Sequence, residues 1–232
     1  MKRETLDALN AARREGRAVV RAVELETGEE TLIDPYTDDS GLAAFARQAA
    51  RDDRSGPAEI GGHTWFLTVY NPPLDLVIVG AVHIAQPLSR MAILAGYGVR
   101  VLDPRTAFAT QERFPGITLV HAWADEALRD APPGPRSAVV ALTHDPKLDD
   151  PALGAALRSN CFYIGALGSK KTHAGRLARL KQSGWSDEAI ARIHGPIGLD
   201  IGAKSPAEIA VAILAEITQV LRTGRGTPRA AP

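Results

Sequence analysis

Four short stretches of the chain carry residue types that could hold or transform a ligand. The first is Gly80-Ala81-Val82-His83, followed at a distance by Leu102-Asp103-Pro104-Arg105. A glycine closing a strand permits a tight turn, and the next helix offers free N–H groups to a pyrophosphate. An acid about 20 positions further on can accept hydrogen bonds from a ribose diol. Asp103 lies 23 positions after Gly80, but Val82 stands where a second glycine would let a pyrophosphate approach the backbone. These residues leave two readings open, a dinucleotide site and a strand-to-helix turn that binds no nucleotide.

The second stretch is Gly165-Ala166-Leu167-Gly168-Ser169-Lys170-Lys171-Thr172. Two glycines, a hydroxyl and two ammonium groups where a helix begins make a cradle for an anion, since the helix dipole and the lysine charges act together. An ordinary turn with solvated lysines is the alternative. The last glycine is followed by Ser-Lys-Lys, not the Lys-Ser/Thr of a P-loop, so nucleotide hydrolysis is not implied. The third stretch runs from Thr143-His144-Asp145-Pro146 to Asp149-Asp150-Pro151. His144 and Asp145 are candidates for acid/base work or metal ligation, and Asp150 before Pro151 reads as a helix N-cap. The fourth is Gly195-Pro196-Ile197-Gly198-Leu199-Asp200-Ile201-Gly202-Ala203-Lys204, whose glycines allow close backbone approach to a ligand, with Gly198 and Asp200 as its candidates. Cys161 before an apolar strand reads as a small buried hydrophobe, and His63, His121 and His173 lack partners at a readable spacing. No nucleophile, triad or closed metal site is legible, so no catalytic residue is assigned and the metal ligands stay unknown.

These stretches need a scaffold. After Asn71-Pro72-Pro73, apolar strands alternate with helices: strands over 76–79, 99–102, 117–120, 138–142 and 161–164, and helices over 84–94, 108–114, 151–158 and 170–181. Continuously apolar strands between helices predict a parallel sheet covered on both faces, and in such a sheet ligands bind beyond the carboxyl ends of the strands. The first three stretches follow a strand or lead out of one, and the fourth is a loop before the terminal helix. Ser205-Pro206-Ala207-Glu208 predicts a capped terminal helix to about residue 221. Residues 1–72 read differently, as a small α+β domain with helices over 6–13 and 42–51, a hairpin over 18–34, and Gly61-Gly62 turning into a strand over 63–70. The expected division is 1–72, 73–223 and a flexible tail over 224–232.

Composition narrows the function classes. With 27 basic and 27 acidic residues the formal charge is zero, which argues against a general binder of nucleic acid or anionic membranes. One cysteine, a charged start and no apolar run near the ~18 residues of a membrane span lead us to expect a cytoplasmic protein.

From about Leu76 to Leu221 the sequence resembles the XdhC/CoxI family of accessory proteins for molybdenum hydroxylases. Phe162-Tyr163-Ile164-Gly165-Ala166-Leu167-Gly168-Ser169-Lys170 and Gly195-Pro196-Ile197-Gly198-Leu199-Asp200-Ile201-Gly202-Ala203 carry the resemblance most specifically. Val79-Gly80-Ala81-Val82-His83, Leu102-Asp103-Pro104-Arg105 and Leu142-Thr143-His144-Asp145 add to it. It implies an α/β fold, a Rossmann-like parallel-sheet domain preceded by the small α+β domain. It also implies binding of molybdenum cofactor, as molybdopterin or its cytosine dinucleotide, for delivery to an apo-molybdenum hydroxylase of the xanthine dehydrogenase type. A cysteine desulfurase and a second copy of the chain are further partners the resemblance brings in. The residues that would hold the cofactor are Gly80, His83, Asp103, Arg105, His144, Asp145, Gly165, Gly168, Ser169, Lys170, Lys171, Gly198 and Asp200, with His83, His144 and Asp200 toward the metal end. The chain departs from the family at Val82, where relatives have glycine, and lacks the Gly-Gly-Cys segment of longer relatives. An NAD(P)-dependent oxidoreductase using Gly80 and Asp103 is the alternative from another class, and a scaffold that only docks the sulfurating enzyme is a third.

Overall fold

In the computed structural model, which describes residues 1–224, the chain forms two compact units, Met1–Pro72 and the remainder from Pro73 onward. The expected tail falls, after Gly224, outside the described residues.

The first unit is an antiparallel sheet of order β2-β1-β4-β3 with two helices. Its elements are α1 (Arg3–Arg14), β1 (Val19–Glu24), β2 (Glu30–Ile33), α2 (Ala43–Asp52), β3 (Gly56–Ile60) and β4 (His63–Tyr70). Gly61 and Gly62 both take positive φ, 63° and 84°, the backbone of a two-residue primed turn, and this sets the β3–β4 register at Ile60 opposite His63. Alternate residues Val20, Ala22 and Leu67 pack on Ala46 and Ala50 of α2.

The second unit contains β5 (Leu74–Val79), α3 (Ala85–Leu94), β6 (Tyr97–Leu102), β7 (Thr118–Val120), α4 (Ala124–Asp130), β8 (Ser137–Ala141), α5 (Pro146–Leu157), β9 (Tyr163–Ala166), α6 (Lys170–Gln182), α7 (Asp187–Ile190), β10 (Ile193–His194) and α8 (Pro206–Thr223). The six strands are parallel in the order β10-β9-β8-β5-β6-β7. Counted along the chain from β5, this is the 3-2-1-4-5-6 order of the Rossmann fold, with its reversal between β5 and β8. Strand side chains alternate between faces, so Leu76 and Ile78 enter one core with α3 and α8 while Val77 and Val79 enter another with α4, α5 and α6. This double burial is why the strands read as unbroken apolar runs. No helix among the described residues is long and apolar enough to cross a membrane.

Three expectations fail locally. The helix over 108–114 is replaced by turns. Turn bonds such as Phe114 N–H to Thr110 O hold the segment, and side chains add to them, Arg113 Nη1 donating to Phe108 O and Gln111 Nε2 to Ile117 O. The helix expected from Pro151 begins five residues earlier, at Pro146. Two Asp-Pro pairs compete there, and the earlier one adds Leu148 to the buried stripe of Ala152, Leu153, Ala156 and Leu157. Helices α4 and α7 and the two-residue strand β10 were not anticipated, being too short for a periodic signal, although Ser186 caps α7 by accepting from Ala189 N–H. The terminal helix agrees at its start: Ser205 Oγ accepts from Glu208 N–H and Glu208 Oε2 accepts from Ser205 N–H.

Candidate functional site

All strands of the second sheet are parallel, so the segments after β5, β6, β8, β9 and β10 lie along one edge. At the reversal point the chain is tightly packed. Gly80 has φ +103°, and a Cβ there would lie 2.4 Å from Thr143 Cγ2. Only glycine lets the turn after β5 pass the end of β8.

Asp103 does not present its carboxylate to a ligand. The residue is 1% exposed, and each oxygen already accepts two hydrogen bonds. Oδ2 takes Ala81 N–H at 2.8 Å and Arg105 Nη2 at 2.9 Å, and Oδ1 takes the Arg105 N–H and Nε, both at 2.9 Å. Burial pushes its pKa up, but the bonds from Arg105 and Ala81 outweigh this and hold it below the ordinary value. Asp103 thus ties the Gly80 turn to the next strand and orients Arg105, which lies 4.7 Å over the Phe108 ring and feels the charge of Asp145. Replacing Asp103 with Ala is expected to cost about 2 kcal/mol by leaving Ala81 N–H without its acceptor. The urea midpoint checks this. The depressed pKa means that the stabilisation is complete above the ordinary value of 3.8 and is lost as pH falls through the folded-state value.

After β8, Asp145 caps α5 by accepting from Lys147 N–H at 2.9 Å. This corrects the capping role given to Asp150, which instead makes a bidentate pair with Arg179 at 2.6 and 3.0 Å. His144 is exposed and holds φ +63°, a conformation uncommon for a residue with a side chain and often retained at sites of function. Behind it, Thr143 Oγ1 donates to Asp149 Oδ1 at 2.6 Å.

Within β9, Gly165 is required by neighbours: a Cβ would lie 2.5 Å from Ile197 Cδ1 and 2.8 Å from Tyr163 Cε1. Gly168 has φ +146° and packs on Thr172, and Ser169 caps α6 by accepting from Thr172 N–H at 3.1 Å. Lys170 and Lys171 are exposed at the first positions of that helix. One turn further on, Arg176 is 2% exposed. Its Nη2 donates to Leu167 O at 2.8 Å and faces Asp149 Oδ2 at 3.5 Å. Burial lowers the pKa of Arg176 and raises that of Asp149. His144, Asp149, Lys171 and Arg176 share a recess of about 320 Å³. A larger one, of about 790 Å³, lies away from these loops beside Pro133, Arg158 and Asn160, which precede β8 and β9.

After β10, the loop over 195–204 is held by a residue that sequence reasoning missed. Glu216 of α8 is 2% exposed. Its Oε2 accepts from Tyr163 OH at 2.6 Å and Gly198 N–H at 2.7 Å, and its Oε1 lies 3.3 Å from His194 Nδ1. The Tyr163 and His194 rings stack with centroids 4.6 Å apart. Burial pushes the Glu216 pKa up, yet the bonds from His194, Tyr163 and Gly198 bring it below the ordinary value. An acid interrupting the apolar row Ile213, Ile217 and Val220 was the signal available. His173, read as partnerless, packs under Gly195, where a Cβ would lie 2.0 Å from its Nδ1.

The structure brings Gly80 to Thr143, Asp103 to Arg105, and His144 to Lys171 and Arg176. It leaves His83 and Asp200 exposed, and with His144 they do not form a group of ligand atoms within 4.8 Å of one another. Among the described residues the one group of three or more potential metal ligands is Glu24, Glu26 and His63, in the first unit, where His63 Nδ1 lies 2.6 Å from Glu24 Oε1. Cys161 is buried and its thiol is pushed up by desolvation, as expected of an inert residue.

Comparisons with known proteins agree with this architecture. Residues 76–217 match the XdhC Rossmann domain. The chain is 33% identical over 168 residues to the uncharacterized protein YqeB of Escherichia coli, and 34% over 155 residues to a probable xanthine dehydrogenase subunit of Bacillus subtilis. It is 31% identical over 151 residues to the molybdenum cofactor insertion chaperone PaoD of Escherichia coli. These matches cover 72%, 66% and 65% of the chain but only 31%, 45% and 41% of the relatives. A solved Bacillus halodurans structure described as a xanthine dehydrogenase shares the fold over 98% of the chain and 66% of its own length, with a TM-score of 0.65 and 23% identity. With its Rossmann domain matched over more than half its length, the chain belongs to the XdhC family.

Proposed function

We propose that the chain binds molybdenum cofactor, shields it from water and oxygen, and delivers it to an apo-molybdenum hydroxylase of the xanthine dehydrogenase type. The observation that carries this reading is the edge at the strand ends. There, glycine turns, the α6 N-terminus and basic side chains form an anion-receiving surface beside the sheet's reversal point, with no nucleophile–base pair among the described residues of the same loops. The relatives named as an insertion chaperone and a dehydrogenase subunit support it. The cargo is molybdopterin or its cytosine dinucleotide, which analysis of the bound pterin distinguishes. The chain would do this work in the cytoplasm.

The deciding assay mixes cofactor-loaded protein with apo-xanthine dehydrogenase or a related apo-hydroxylase and follows recovered activity. We expect recovery with the wild type and a loss with His144→Ala at unchanged folding. No recovery across several client enzymes, with cofactor demonstrably bound beforehand, rules transfer out. Charge-assisted bonds contribute roughly 1.5–3 kcal/mol each, so replacing both Lys170 and Lys171 with Ala should weaken cofactor binding by at least about tenfold. Unchanged affinity, measured by pterin retention on the purified protein, would remove the loop from the site. The oxidoreductase reading predicts measurable NADH binding that is lost in Asp103→Ala. The full engagement of both Asp103 oxygens with Ala81 and Arg105 counts against it.

A further inference from the structure

The recess beside α6 holds polar atoms that the fold itself does not use. Arg176 spends Nη2 on Leu167 O, but its Nε and Nη1 have no hydrogen-bond partner, and neither does Asp149 Oδ2. All three atoms are buried, and an unsatisfied buried donor or acceptor costs about 1–3 kcal/mol, more when charged. The distance of 3.5 Å between Asp149 Oδ2 and Arg176 Nη2 is too long for a strong bond, so the pair does not satisfy itself. Around them stand Lys171 and Thr172 in the first turn of α6, His144 in its left-handed conformation, and Arg179, already engaged by Asp150. Three cations against Asp149 and Asp150 leave the site net positive.

The complement of this arrangement is specific. It must offer acceptors to an arginine and lysine, hence an anion, and one donor to a carboxylate, which is acceptor-only when ionised. A phosphate that keeps one proton meets both demands, with oxygens toward Arg176 and Lys171 and its P–OH toward Asp149 Oδ2. Sulfate, fully ionised at neutral pH, would meet the carboxylate with a lone pair. We propose that this recess is a phosphate-monoester site that takes the group in its protonated form, with Arg176 as the main charged donor and Asp149 as the residue that selects phosphate over sulfate. The proposal rests on the functional reading above only in taking the monoester to be the phosphate end of the cargo, so the two can fail separately.

The test uses the whole chain and three probes at pH 7 and matched ionic strength: inorganic phosphate, sulfate, and glycerol 1-phosphate as a small monoester, each titrated calorimetrically. We expect phosphate to bind at least about tenfold more tightly than sulfate, and the monoester to displace it. Lys171→Ala, at an exposed position that leaves the core intact, should weaken phosphate by about fivefold or more, and Arg176→Lys by more, since the ammonium cannot reproduce the guanidinium fork. Asp149→Asn supplies a donor and should erase the preference over sulfate. Equal affinity for phosphate and sulfate in the wild type, or phosphate binding unaffected by Lys171→Ala, overturns the proposal, whether or not the Arg176 variant folds. Phosphate that glycerol 1-phosphate cannot displace overturns the monoester assignment. Selective phosphate binding in a protein that fails to reconstitute any apo-hydroxylase would leave the recess standing and remove the transfer function. Cofactor transfer without phosphate selectivity would do the reverse.

Discussion

Gly80→Ala is expected to destabilise the Rossmann unit by roughly 3 kcal/mol, the sum of a side chain forced into a φ of +103° and an overpacked contact. The contact is not with a side-chain tip that can swing away. Thr143 Cγ2 would be 2.4 Å from the new Cβ, and Thr143 is fixed by its hydroxyl bond to Asp149 and by accepting from Asp145 N–H. Relief therefore requires the ends of β5 and β8 to part, which would also loosen the bond from Leu142 N–H to Val79 O. Chemical denaturation of the variant should show a lowered midpoint with little change in slope. Loss of ligand binding should accompany it, because His144 and the recess hang from the same segment. A midpoint within about 0.5 kcal/mol of the wild type would show that the turn has room that the geometry denies it.

The second large effect is expected at Glu216. Truncation to Ala removes the acceptor for Tyr163 OH and Gly198 N–H and the partner of His194, leaving buried donors unmatched, at a cost of about 3 kcal/mol. Glu216→Gln keeps the shape and one acceptor oxygen and should cost less, but it abolishes a titration. The folded-state pKa of Glu216 is depressed, so its stabilisation is complete above the ordinary value of 4.5 and is lost as pH falls through the lower folded value. Denaturation midpoints measured downward from pH 7 should therefore fall less steeply below about pH 4.5 in Glu216→Gln than in the wild type. Parallel curves would mean that Glu216 does not carry the charge assigned to it. Hydrogen exchange at Gly198 N–H gives the local readout, with protection lost in the Ala variant because the loop over 195–204 is anchored there.

Much of this was legible in the sequence because it depends on local rules. The alternation of apolar runs and helices after Pro73 sufficed for a parallel α/β sheet, since strands buried on both faces must be apolar throughout. The Ser205–Glu208 capping box and the Gly61-Gly62 turn were readable because a cap or a turn is closed by residues a few positions apart. The placement of glycines after strands pointed to one functional edge, since parallel strands all end on the same side.

What the sequence did not determine depends on contacts between distant segments. The sequence reading put the cap of α5 at Asp150, and the start at Asp145 instead rests on how much apolar surface the longer helix buries and on Arg179, 29 positions on, pairing with Asp150. Asp103 read as a ligand acceptor because its spacing fits one. Only the fold shows Ala81 N–H and Arg105 occupying it. His83, His144 and Asp200 share a kind of chemistry, but their ligand atoms do not form a group within 4.8 Å of one another. Neither Arg176 nor Glu216 was singled out by spacing or motif. Both are buried, because each lies on the face of its helix that the sheet covers, and burial turns an ordinary charge into one that must find a partner. Spacing along the chain reports which residues could act, whereas desolvation, which decides which of them must, exists only once the chain has folded.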